Sequence, residues 1–153
     1  MSTISNAYDK IITRLSTILP SHTRLTNPYA PEQNIERTLT QGYGLVMGSG
    51  ERVPREIGCS NRYFVRRDFI VVLARKFFAK ELNVEAKASV EKQLTEDLNL
   101  LVKDFENSVD LNENQVFDFT YVGDGGIESV FADKDNFLMI RATFRIEYHE
   151  NLT

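Results

Sequence analysis

The sequence holds a single cysteine, Cys59, so no disulfide can form within the chain. Burial must then hold the fold, and a reducing compartment is expected. There is no tryptophan. The two histidines, His22 and His149, are far apart, and no His-x-x-x-His or Cys-x-x-Cys spacing occurs, so no zinc site is expected. No apolar run approaches the about 18 residues that a membrane helix needs. The longest, Phe69 to Ala74, is strand-sized, and no membrane association is expected. Met1 to Asn6 shows neither a basic nor an apolar leader region, so no signal peptide is expected. A basic excess is also missing: 18 Lys and Arg face 22 Asp and Glu, a net charge of −4. That balance argues against a dedicated nucleic-acid binder, but not against a surface that DNA merely passes.

What is present suits a folded domain. The chain has 153 residues, 42% hydrophobic and 26% charged. That is enough to bury one core, and a single domain over residues 1–153 is expected.

The strongest pattern lies near the C-terminus. From Leu138 to Tyr148 the residues alternate. Leu138, Ile140, Ala142, Phe144, Ile146 and Tyr148 point one way, and Met139, Arg141, Thr143, Arg145 and Glu147 the other. A period of two predicts a half-buried strand with a polar face. Before it, Val116 to Val122 and Ile127 to Phe131 read as two further strands joined by Gly123-Asp124-Gly125-Gly126, a strong hairpin signal.

Upstream, Ile4, Tyr8, Ile11, Ile12, Leu15 and Leu19 recur at helical spacing, which predicts a helix over 2–19 ended by Pro20. Residues 20–40 read as a long irregular loop. Gln41 to Gly48 predicts a glycine-weakened strand. Gly48 to Ser60 reads as a projecting arm. Arg62 to Phe77 predicts a long strand, apolar on both faces from Phe69 to Leu73 and therefore central. Arg67 and Arg75 interrupt its odd-numbered face, and its Arg66 to Asp68 end is expected to emerge from the core. Val90, Leu94, Leu98, Leu101 and Phe105 predict an amphipathic helix over 84–107. Two strands before this helix and three after give an α+β fold. It has a largely antiparallel or mixed sheet of about five strands, two long helices packed on one face, and projecting loops.

Chemistry-bearing motifs are not visible. The glycines from Gly42 to Gly50 match neither the dinucleotide fingerprint nor a phosphate loop. Asp133-Lys134-Asp135-Asn136 resembles the start of a calcium loop, but Leu138 and Phe144 stand where glycine and glutamate are required. Nothing local activates Cys59, and it reads as a free structural cysteine. Neither a catalytic site nor a cofactor is expected.

The order of elements resembles the tail terminator (minor tail protein U-like, tail-completion) proteins of long-tailed bacteriophages. The resemblance runs over most of the chain. It rests on the helix around Tyr8-Asp9-Lys10-Ile11-Ile12-Thr13-Arg14-Leu15, the arm near Arg52 to Ser60 and the strand Tyr63-Phe64-Val65-Arg66-Arg67-Asp68-Phe69. It continues through the helix from Val84, then Tyr121-Val122-Gly123-Asp124-Gly125-Gly126-Ile127-Glu128 and Phe137 to Tyr148. The family implies a non-enzymatic virion protein of the tail or neck, assembled in the host cytoplasm. Its subunits form a hexameric ring that caps the tail tube protein, stops its polymerisation and docks on the head-side connector or stopper. DNA passes through the lumen without sequence-specific binding, and an acidic wall would repel its phosphates. Under that resemblance, ring contacts are expected from sheet edges and polar strand faces. Candidate interface residues are Arg66, Arg67 and Asp68, with Arg141, Arg145 and Glu147. Arg52 and Arg55 on the arm are candidates for reaching the tube or connector. The residues also allow a neighbouring ring of the same machine, such as a head-closure or neck protein or a tube subunit. A small oligomeric enzyme with an intersubunit site would need converging polar residues that the sequence does not display.

Overall fold

The computed structural model of the chain describes residues 3–28, 40–53, 62–77, 84–107, 116–132 and 135–151. These form helix α1 (Thr3–Ile18), strands β1 (Thr23–Arg24), β2 (Gln41–Val53) and β3 (Arg62–Phe77), helix α2 (Val84–Asn107), and strands β4 (Val116–Ala132) and β5 (Asp135–Asn151). All strands join one five-stranded sheet in the order β1-β2-β3-β5-β4. The β1–β2 pair is parallel and the other pairs are antiparallel. The expected α+β class, the mixed sheet and the two long helices on one face all hold.

The distribution of strands differs from the expected one. Three precede α2 and two follow it. Gly123 to Gly126 is not a hairpin. Val116 to Ala132 is one long strand pairing throughout with β5, and the glycines sit at register shifts between Tyr121 and Gly123 and between Asp124 and Ile127. Gly126 has φ of 85°, where glycine is favoured, and its N–H donates to Asp124 Oδ1 at 2.8 Å. The same residue chemistry makes a tight turn or a bulge, and both flanking segments have β5 as their partner. Two further corrections concern β2. It continues past Gly48 to Val53 through a register shift between Met47 and Gly50, so Gly48 to Val53 belong to the sheet rather than to the expected arm. Residues 54–61 lie outside the described residues. Within the expected irregular loop, Thr23 and Arg24 form β1 on the edge of β2.

The helix-covered face holds the main core. Phe69, Val71 and Leu73 of β3 and Leu138, Ile140, Ala142, Phe144 and Ile146 of β5 meet Ile11 and Leu15 of α1 and Leu94, Leu101 and Phe105 of α2. Phe105 sets its ring edge-on against Phe119 (4.8 Å) and Phe144 (5.1 Å), which locks the last turns of α2 over β4 and β5. α1 has no acidic residue in its first turn. Glu150 supplies that charge from β5, accepting hydrogen bonds from the N–H groups of Thr3 (3.2 Å) and Ile4 (2.9 Å). A carboxylate there satisfies orphan donors and offsets the helix dipole. Arg14 and Asp104 join the two helices, with Nε to Oδ2 at 2.7 Å.

The opposite face is divided along its length. At one end Val72, Ala74, Phe137 and Met139 form a second apolar cluster with Leu25. Met139 lies on the expected face, but it is buried there rather than polar and wet. Gly42 is constrained at this spot, because a Cβ would meet Leu25 at 2.8 Å. The other end of this face is charged.

Candidate assembly surface

The charged end is built by register. Arg66 of β3 lies between Glu51 of β2 and Glu147 of β5 in the ladder. Its guanidinium reaches Glu51 Oε1 at 3.2 Å and Glu147 Oε1 at 3.6 Å. Next along the strands, Arg145 Nε donates to Asp68 Oδ1 at 2.8 Å. That hydrogen bond raises the pKa of Arg145, with the Asp68 charge adding to it. Further along, Arg141 Nη1 donates to Glu128 Oε2 at 3.0 Å. Five of the eight candidate residues, Arg66, Asp68, Arg141, Arg145 and Glu147, thus share one sheet face. They do so because even positions of β3 oppose odd positions of β5. Acid and base alternate across the strands. The arginine side chains stay 38–42% exposed.

Of the other three candidates, two lie elsewhere. Arg67 projects from the helix-covered side of β3 and is tied within the subunit. Its Nε donates to Tyr148 Oη and its Nη1 to Gly48 O, both at 3.2 Å. Its guanidinium occupies the space a Cβ on Gly50 would need, with Cζ 2.7 Å away. Arg67 therefore clamps the irregularity in β2. Arg52 is exposed and stands 5.8 Å from the centroid of the Tyr63 ring. Arg55 lies outside the described residues.

Comparison of the chain with protein-family models and with curated proteins finds no match.

A second polar constellation, on the helix-covered side, was not anticipated. Arg75 of β3 grips Asp97 of α2 through Nε to Oδ2 (2.7 Å) and Nη2 to Oδ1 (3.0 Å). His22 Nε2 lies 3.3 Å from the same Oδ2. Arg75 Nη1 also donates to Gln41 Oε1 at 2.9 Å. Asp97 and His22 side chains are 8% and 5% exposed. Burial pushes the Asp97 carboxyl up, but the hydrogen bonds from His22 and Arg75 and the Arg75 charge hold it below its usual value of 3.8. Two anomalies in the sequence signalled this pair. Asp97 falls on the apolar stripe of α2 beside Leu94, Leu98 and Leu101, and Arg75 interrupts the apolar face of β3.

An open cleft of about 570 Å³ lies at the β2 edge, lined by Tyr8, Arg24, Leu25, Thr26, Pro28 and Leu45. Its described lining holds no acid, histidine or cysteine. Among the described residues, no group of three or more His, Cys, Asp or Glu is placed to hold a metal ion. No described helix is long and apolar enough to cross a membrane.

Proposed function

We propose that the chain is a ring-forming structural subunit of a phage tail, a tail terminator that caps the tube and joins it to the head-side connector. The observation that carries this reading is the ladder of alternating charge on the sheet face away from the helices. Glu51, Arg66 and Glu147, Asp68 with Arg145, and Glu128 with Arg141 spread across four strands and remain open to solvent. Patterned charge of this kind fixes register and rejects wrong partners, even when each pair adds little net affinity. The absence of a matching family leaves the resemblance in element order as the reason for choosing the terminator among ring proteins.

Two measurements test it. Mass by light scattering at high concentration, followed by negative-stain imaging, is expected to give closed rings, alone or on the ends of purified tubes. Particles assembled without the protein are expected to carry overlong tails. Full heads that leak, with tails of normal length, would assign the chain to the head-closure ring instead. Rings with no affinity for tubes would remove the terminator reading.

A further inference from the structure

The sheet has two edges, and the described residues leave most of both uncovered. β1 pairs only with Gly42 and Tyr43 of β2. Pro28 lies against Gly44, and from Val46 to Val53 the outer side of β2 has no strand among the described residues. At the far end, β4 is outermost and has only β5 beside it among the described strands, although its Tyr121 N–H donates to Glu106 Oε1 of α2 at 3.4 Å. Bare N–H and C=O groups along such an edge are a template for another strand.

Three observations make the two edges complementary. The first is polarity. β3 runs antiparallel to β2, β5 antiparallel to β3, and β4 antiparallel to β5. β4 therefore runs opposite to β2. If a second copy continues the same sheet, its β4 meets β2 as an antiparallel pair, the arrangement that most of this sheet already uses. The second is apolar exposure. The large hydrophobic side chains exposed among the described residues are Met47 (41%), Leu100 (53%) and Val122 (49%). Met47 is on β2 and Val122 on β4, each at a register shift. Bulges blunt an edge against indiscriminate pairing, yet here each bulge displays an apolar side chain to solvent. The third is charge. The β1–β2 edge carries exposed Arg24 and Arg52, while the one exposed acid of β2, Glu51, is paired with Arg66 within the subunit. β4 contains Asp118, Asp124 and Glu128 and no lysine or arginine.

We propose that the outer edge of β2 in one copy receives the outer edge of β4 from a second copy of this chain, head to tail and antiparallel. This rests on the ring reading and specifies its joint. The contact joins unlike patches, so every added copy leaves one edge free until the ring closes. Pairing of like edges would instead stop at a two-fold dimer.

The test uses the full chain with Cys59→Ser, carrying Met47→Cys or Val122→Cys. A short flexible bis-maleimide, which tolerates a slip of a residue or two, is added under conditions that give assembly, in solution or on purified tubes. Mixed Met47→Cys and Val122→Cys copies are expected to crosslink to each other, and neither variant to itself. As a second arm, Val122→Lys places a cation on an exposed position of the acidic edge, where it would face the arginines of the β2 edge. It is expected to weaken assembly by roughly tenfold or more if that edge is buried against a partner, with unchanged thermal unfolding. Self-crosslinking of either single variant overturns the head-to-tail joint. Rings of wild-type mass from Val122→Lys, or rings of the cysteine variants that give no mixed crosslink, overturn the joint and leave the ring reading standing. A chain that never assembles, even on tubes, overturns both.

Discussion

The two faces of the sheet use the same pair of groups in opposite ways. Under the helices, Arg75 and Asp97 are joined by two hydrogen bonds, with Asp97 almost wholly buried. On the other face, Arg145 and Asp68 meet at 2.8 Å with side chains 42% and 24% exposed. A buried pair is committed to the fold, because removing one partner strands the other charge away from water. An exposed pair contributes little to folding and stays available to a partner. The contrast separates residues that hold the subunit together from those that can join it to something else. Arg67, from the same sequence cluster as Arg66 and Asp68, belongs with the first group.

The largest break in this contrast is expected at Asp97. Asp97→Ala leaves Arg75 and His22 without their shared carboxylate and should cost about 3–5 kcal/mol in denaturant unfolding. The paired change Arg75→Met with Asp97→Leu should recover much of that loss, because no buried charge is then stranded. A cost below ~1 kcal/mol for Asp97→Ala would place the pair with the surface contacts. The pH dependence follows from the direction of the Asp97 shift. Its carboxyl titrates lower in the folded chain than its ordinary 3.8. Its contribution is therefore full above the unfolded value and is lost as pH falls through the folded one. Acid titration of stability should show a shallower fall below about pH 4 in Asp97→Asn than in the wild type.

An intermediate effect is expected at the start of α1. Glu150→Gln keeps the shape but removes the charge from the N-terminus of the helix, and should cost about 0.3–1 kcal/mol. Arg14, which ties α1 to Asp104, would be unaffected. The smallest effect on folding is expected on the open face, where Arg145→Gln should leave the unfolding midpoint close to that of the wild type, and closer still at high salt.

Much of this division could be read from residue order, and the rest could not for identifiable reasons. α2 follows from the spacing of Leu94, Leu98, Leu101 and Phe105, and β5 from its alternation, because each pattern runs long enough to fix one period. The face shared by Arg141, Arg145 and Glu147 followed from that alternation. Their partners Glu128, Asp68 and Arg66 come from the neighbouring strands and depend on register, which no local pattern encodes. Gly123-Asp124-Gly125-Gly126 misled because the same residues suit a turn and a bulge, and only the shared partner β5 decides between them. The Arg75–Asp97–His22 cluster draws on three separate elements. Its trace was a charged residue on each of two apolar faces, and one such anomaly explains the other.

The most direct test of the division is tube-end binding by the double variant Arg66→Gln with Arg145→Gln, measured beside its unfolding midpoint. If the open face is the surface that meets the tube, the unfolding midpoint stays close to the wild-type value, as expected of exposed pairs, while tube capping is lost. A variant that caps tubes as well as the wild type would contradict it, and would return these arginines to an ordinary solvated face.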